Sequence, residues 1–425
     1  MAEISAQGVL DYVCNWYVKA ARYIQGTHIK VAFVSTNSIT QGEQVGILWN
    51  VLQNRYGIHI HFAHRTFKWT IDEKKAKGMR VAAVHAVIIG FATYEAPQKY
   101  LFEYEIITAD PHRISAKNIS PYLVDAPSIV IQTRNTPLSG VPKMQWGNKP
   151  TDGGHFILSP QEKQELIAKE PSAAKFIRPY MSGGDFINGI ERYCLWLKNA
   201  DPGELKKLPL VSKRIQAVKE ERLKSKAAST RKYADMPTLF RQIAQPNTDY
   251  LAVPEVSSER RMYIPIAYVS KEIICSNTLQ FVPNATLYHF GVLTSLMHMD
   301  WMRYVCGRLE SRYRYSNTLV YNNFPWPPNS TPAQVKGIEE KAQAVLDARA
   351  QFPGNTLADL YDPLTMPPVL LKAHQALDKA VDTAYRKSPF TSERERIEYL
   401  FTEYQRLTAP LIMGRKQNKR KTWRK

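Results

Sequence analysis

Five charged residues crowd one tyrosine-rich stretch of this 425-residue sequence: Arg303, Arg308, Glu310, Arg312 and Arg314, interleaved with Tyr304, Tyr313 and Tyr315. Guanidinium groups match the paired acceptors on a guanine edge, and a carboxylate accepts from the cytosine amino group. In a strand, Glu310, Arg312 and Arg314 would share one face, because side chains alternate. A carboxylate and a neighbouring guanidinium would then address the two bases of a C·G pair. The same spacing also describes an exposed ion pair on a solvated face. Arg260 and Arg261, in SSERRMY, are candidates for phosphate or base contacts, or for the edge of a core.

Other constellations carry weaker signals. Phe67 and Trp69 follow an apolar run and precede a basic segment, residues 72–80, with Lys74, Lys75, Lys77 and Arg80. An aromatic there either caps a core or offers a face for stacking. The basic segment is either a solvated loop or a phosphate contact, which gives affinity without sequence information. His59, His61 and His64 have no carboxylate or cysteine in ligand spacing, so a metal site is not expected. Asp201 and Glu204-x-Lys206 echo half of a nuclease motif, a pattern common by chance.

The formal charge is +19, of which residues 414–425 supply seven positive charges. The remaining chain is still basic, which points to a polyanion such as nucleic acid, or to a basic protein without one. No apolar run approaches the ~20 residues that cross a bilayer, and the first ten residues lack the basic head and apolar core of a secretory signal. The four cysteines, Cys14, Cys194, Cys275 and Cys306, form no CxxC pair, which fits a reducing cytoplasm.

The elements that must position these residues begin with alternating helix and strand. Val9, Tyr12, Val13, Trp16, Tyr17, Ala20 and Ile24 repeat at helical spacing, and residues 29–35 read as a buried strand. Val45, Leu48 and Leu52 mark a second helix that Gly57 can stop; strands are expected at 58–62 and 83–91. This order suits one edge of a parallel sheet closed by a β-hairpin. Phe102, Tyr104 and Ile106 suggest another strand, and residues 128–132 a short one. Residues 159–232 read as largely helical, 248–326 as strands and turns, and 335–350 and 369–385 as amphipathic helices. The fold class is therefore mixed α/β and α+β: a partial Rossmann-like sheet, an α+β region and a helical tail.

A sheet that binds a nucleotide-type cofactor needs a glycine turn after its first strand. None of the twenty glycines forms Gly-x-Gly, and the two Pro-Pro pairs, at 327–328 and 367–368, lack the Asn/Asp-Pro-Pro-Tyr/Phe setting that holds a target amine. No catalytic, cofactor-binding or metal-ligating residue is assigned in this chain.

Several segments together resemble the MmeI-like family of DNA adenine methyltransferases. Residues 10–24 (LDYVCNWYVKAARYI), 31–49 (VAFVSTNSITQGEQVGILW), 60–69 (IHFAHRTFKW) and 83–91 (AVHAVIIGF) resemble its late methyltransferase motifs. Residues 253–268 (VPEVSSERRMYIPIAY) and 288–327 (YHFGVLTSLMHMDWMRYVCGRLESRYRYSNTLVYNNFPWP) resemble its recognition-domain signature, and the likeness continues through KEPSAAKFIRPY at 169–180 and into the tail. The resemblance implies a division into residues 1–135 (end of the methyltransferase domain), 136–328 (target recognition), 329–411 (helical C-terminal domain) and a basic tail, 412–425. It implies double-stranded DNA as partner and adenine-N6 methylation as the family activity. Phe67 would stack on an adenine drawn out of the duplex, since the reacting amine is inaccessible inside it. Glu310 and Arg312 would read a base pair, with Arg260, Arg261, Arg303, Arg308 and Arg314 as further DNA contacts. S-adenosylmethionine would be bound by an N-terminal part not in this sequence, whether a separate methyltransferase fragment or a lost one, and methyl transfer by this chain alone is not expected. The rival readings are a non-enzymatic DNA-binding protein and a truncated, inactive remnant.

Overall fold

The computed structural model describes residues 8, 10–69 and 84–422, with side chains to residue 409. The expected basic loop at 72–80 and the side chains of the basic tail lie outside the described residues.

Helix α1 (Cys14–Tyr23) buries Cys14, Tyr17 and Ala21. It leads to strand β1 (Val31–Thr36) and helix α2 (Glu43–Tyr56). Gly57 ends α2 in the left-handed conformation at φ 61°, where a glycine avoids the Cβ clash. Strands β2 (His59–Trp69), β3 (Val84–Ala92), β4 (Lys99–Glu103) and β5 (His112–Ala116) follow. The sheet order is β1-β3-β2-β4-β5. β3 runs antiparallel to both β1 and β2, whereas β2 and β4 are parallel. The expected hairpin is thus present, but it inserts β3 between β1 and β2 rather than closing the edge.

Aromatic packing holds the helices to this sheet. The Tyr17 ring lies 5.0 Å from Phe33, 5.7 Å from Phe91 and 6.2 Å from Trp49. Tyr17 and Trp49 are both 0% exposed. At about 25 cal/mol per Å², rings of 150–250 Å² contribute roughly 4–6 kcal/mol each by burial. Their polar atoms are satisfied: the Tyr17 hydroxyl meets Ser35 Oγ at 3.0 Å, and Trp49 Nε1 donates to the Ile39 carbonyl at 2.9 Å.

The chain forms two compact units that interleave along the sequence. The first comprises residues 1–140, 296–330 and 381–425; the second comprises 141–295 and 331–380. In the first, helix Leu296–Val305 packs through Trp301 against Phe401 and Tyr404 of the C-terminal helix Glu393–Thr422, with ring separations of 5.7 and 5.8 Å. The second contains two four-stranded sheets and the long helix Pro332–Ala350, capped by a reciprocal Thr331–Gln334 box.

Three expectations need correction. Residues 128–132 form no strand: Tyr122 Oη accepts from the Ile131 N–H at 3.0 Å and Asn323 Nδ2 donates to the Gln132 carbonyl at 3.0 Å, so side chains replace ladder partners. β4 stops at Glu103, before Tyr104. Residues 287–305, expected as strands and turns, are two helices, Leu287–Thr294 and Leu296–Val305. The second buries Met297 through Met302 without interruption, so no polar face is left to mark a helical period. Residues 159–232 are largely helical as expected, with the short strands Ile177–Met181 and Arg192–Leu195 among the helices.

Candidate nucleic-acid interface

Arg312 and Arg314 sit where their spacing implies, and Glu310 does not. Gly307–Leu309 and Arg312–Arg314 pair as an antiparallel hairpin with Leu309 opposite Arg312. Glu310 and Ser311 are its two turn residues, so Glu310 is at the tip rather than on a strand face. Its φ is +58°, a conformation that favours glycine in such turns. A non-glycine residue held there costs of order 1–3 kcal/mol and is a pointer to use of the side chain. Arg312 and Arg314 flank the buried Tyr313 and are exposed on one face. Arg312 Nη2 donates to Glu310 Oε2 at 2.8 Å, with 45% and 77% of the two side chains exposed.

Two of the expected DNA contacts are turned inward. Arg303 lies on helix Leu296–Val305 with only 19% of its side chain exposed, bonded to Asp300 at 2.8 Å and Glu393 at 3.1 Å. Burial opposes its charge, but Tyr313, Asp300 and Glu393 outweigh it and raise its pKa. Arg308 lies over the Tyr313 ring at 4.1 Å and donates to the carbonyls of Arg303 and Ser311 at 3.0 and 3.3 Å. Both therefore brace the hairpin that carries Glu310 and Arg312. Gly42 supports the hairpin's base: its N–H donates to the Val305 carbonyl at 3.2 Å, and a Cβ would come within 3.0 Å of Gly307 Cα.

In the second unit, Arg260 is exposed in a turn after Val256–Ser257. Arg261 is half-buried, and that burial lowers its pKa against the opposing field of Asp362. The basic run 206–232 carries exposed lysines on helix Pro209–Leu223, but Arg222 within it is 0% exposed. It donates to five backbone carbonyls, those of Pro150, Thr151, Tyr233, Met236 and Leu239.

Phe67 lies near the end of β2, half-buried, in an aromatic group. Its ring is 5.5 Å from Tyr104 and nearly parallel to it at 25°, 6.4 Å from His64 and 6.1 Å from Trp69. Phe67 and the hairpin belong to the same compact unit. Arg65 lies on β2, two residues before Phe67. Its guanidinium pairs with Glu103 at 2.8 Å, lies 4.0 Å from Glu393 and sits over the Tyr304 ring at 4.9 Å. Glu393 also pairs with Arg303. Arg65 and Glu393 thus tie the strand of Phe67 to the helix that leads into the hairpin. Sequence spacing did not single out either, because the contacts join residues from 38 to 328 positions apart.

The weaker motifs resolve into ordinary structure. His59 pairs with Glu95 and His61 with the Tyr94 carbonyl, and no group of three potential ligands could hold a metal among the described residues. Asp201 caps helix Pro202–Leu205, and Glu204 pairs with Lys175. All four cysteines are buried and free. No helix among the described residues is long and apolar enough to cross a membrane.

Comparison with known proteins matches three profiles in succession: the MmeI DNA-methyltransferase domain over residues 1–103, the MmeI target recognition domain over 125–328 and the MmeI C-terminal domain over 330–412. DNA methyltransferase A of Bacillus subtilis (strain 168) is 42% identical over 401 residues, 94% of this chain and 44% of that protein. The solved structure of the Type IIL restriction-modification enzyme MmeI in complex with DNA is 50% identical and superimposes with a TM-score of 0.87, over 96% of this chain and 53% of that one. The chain thus spans about half the length of these two relatives. With three consecutive domain matches and this degree of structural likeness, the chain belongs to the MmeI family of DNA methyltransferases.

Proposed function

We propose that this chain supplies sequence recognition and target-base handling for site-specific adenine-N6 methylation of double-stranded DNA. The observation that carries this reading is the hairpin tip: an exposed carboxylate and guanidinium, Glu310 and Arg312, on a braced support in the same unit as Phe67. An exposed ion pair is worth about 0–1 kcal/mol, whereas a good bidentate base contact discriminates by about 1–3 kcal/mol. Giving up the Glu310–Arg312 bond therefore costs little next to the discrimination that contacts to cytosine and guanine would supply. Phe67 would stack on the extruded adenine, and Arg314, Arg260 and Arg261 would contact the DNA, with residues 136–328 as the recognition region between the methyltransferase segment, 1–135, and the helical domain, 329–411. Arg303 and Arg308 act through the hairpin's shape. A cytoplasmic setting goes with this role.

The methyl donor of such a reaction is S-adenosylmethionine, and the residues described do not fit it. Among the described residues the positive-φ glycines of the first unit serve other turns or contacts: Gly26 lies in the turn after α1, Gly42 meets Gly307 and Gly57 ends α2. We assign donor binding to an N-terminal methyltransferase portion supplied in the same polypeptide or as a separate fragment. Among the described residues β1 pairs only with β3, leaving its other edge for such a portion, with Tyr12, Trp16, Tyr23 and Val34 at least half exposed nearby. The test is methyl transfer to a random-sequence DNA pool, by this chain alone and with a fragment carrying the glycine turn and the Asn-Pro-Pro-aromatic loop. The expected result is transfer only with both. Transfer by this chain alone overturns the assignment of the donor site; no transfer with both favours a non-enzymatic DNA-binding protein or inactive remnant.

A further inference from the structure

Phe67 is held by a chain of rings that the strand's irregularity creates. His64 pairs with Ile88 of β3 and Phe67 with Ala86, so three steps on β2 match two on β3. In a regular strand, residues three apart point to opposite faces. The extra residue of this β-bulge brings His64 and Phe67 together, their rings 6.4 Å apart. On the parallel neighbour β4, Phe102 lies directly opposite His64, and the two rings stack at 4.2 Å and 3°. Past the end of β4 the chain bends toward β2, where the Lys68 N–H donates to the Ile107 carbonyl at 2.7 Å. That bend sets Tyr104 parallel to Phe67, with its hydroxyl 2.8 Å from His64 Nδ1.

We infer that Tyr104 and His64 are positioning residues that fix the plane of Phe67 for an incoming base. The inference rests on the reading of Phe67 as the stacking residue and adds how its ring is oriented. The order is Phe102 on His64, His64 bonded to Tyr104, and Tyr104 on Phe67, so each ring's tilt is set by the one before. All four rings are half-buried, whereas Phe91 of the same sheet and Tyr17 of α1 packed on it are 1% and 0% exposed. A group that served only the core would not stop at the surface. Exposed Trp69, Ile106 and Ile107, at 49%, 65% and 41%, give the site an apolar rim suited to an unstacked base.

The test uses the full chain and two DNA duplexes of one sequence, one intact and one with a single unpaired 2-aminopurine, which is already unstacked and spares the extrusion energy. The readouts are the ratio of affinities for the two duplexes and 2-aminopurine emission. The unaltered chain should prefer the bulged duplex and quench its emission. Base stacking on an aromatic is worth about 1–3 kcal/mol, so Phe67→Ala should cut that preference about tenfold. Tyr104→Ala should cut it about fivefold and Tyr104→Phe, which keeps the ring but loses the bond to His64, about threefold. No preference in the unaltered chain, or none lost in Phe67→Ala, overturns the stacking role itself. Loss in Phe67→Ala with full retention in both Tyr104 variants overturns only the positioning role. Should Tyr104→Ala fail to fold, Tyr104→Phe decides alone.

Discussion

His298 illustrates how much a single side chain contributes through its charge state. It is completely buried, its Nε2 shares a hydrogen bond with the Tyr315 hydroxyl at 2.9 Å, and its ring meets Phe324 edge to face at 4.6 Å. Nδ1 has no partner among the described residues, so a protonated ring would be left unsolvated. Burial lowers its pKa from 6.5 to about 3. The folded state therefore keeps His298 neutral, while the unfolded chain takes up a proton as pH falls below about 6.5. Its stabilisation is complete above that pH and declines on acidification until about pH 3. Burial lowers the pKa of His374 in the same direction. Chemical denaturation at pH 7.5 and 5.0 should show stability lower at pH 5.0 by about 2 kcal/mol or more. Equal stabilities would contradict the buried neutral state. Such effects were not legible in the sequence, where a histidine among Met297, Met299 and Trp301 carries no sign of its partner. Glu310 and Arg312 were legible as a pair, but their geometry was not. Alternation alone put Glu310 on a strand face, and the two-residue turn put it at the tip.

At the scale of elements, the regular pieces were the readable ones. α1, α2 and the first three strands show apolar patterns that survive folding, because each packs on a shared core, with β3, set between its neighbours, buried on both faces. The departures share a cause: partners distant in sequence overrode the local pattern. Asn323 and Tyr122 took the hydrogen bonds that residues 128–132 would have given to a ladder, and the bulge in β2 reset which residues face Phe67. Helix Pro209–Leu223 shows the same effect. Its basic run suggested a phosphate track or a solvated face, yet Arg222 points inward and gathers the carbonyls of segments 150–151 and 233–239. Burial lowers the pKa of this guanidinium, and Asp152 partly offsets that. Arg222→Met should leave those carbonyls without donors and destabilise the fold by about 3 kcal/mol or more, read as a lower urea midpoint. A neighbouring exposed change, Lys219→Met, should shift it by less than about 0.5 kcal/mol. Equal midpoints for the two variants would place Arg222 on the surface after all.

For the whole molecule, the order of segments in space matters more than their order in sequence. The family profiles run consecutively, methyltransferase, recognition and C-terminal, but the compact units do not. Residues 296–330 and 381–425 return to pack with residues 1–140, so the hairpin bearing Glu310 and Arg312 folds with the sheet bearing Phe67. Nothing in composition or periodicity reveals that return, and the resemblance of separate motifs does not give it either. It follows from Trp301 packing on Phe401 and Tyr404, and from Glu393 bonding Arg303 beside Arg65. The proposed recognition element and the proposed base-stacking element share one support, so they can act on the same stretch of duplex without relying on a flexible link. The most direct measurement is selection of bound duplexes from a random-sequence pool, by this chain and by the double variant Glu310→Lys, Arg312→Asp. Base readout by Glu310 and Arg312 predicts that both enrich the same site apart from one position, where the preferred base pair changes with discrimination of about tenfold. An identical preference at every position would contradict it.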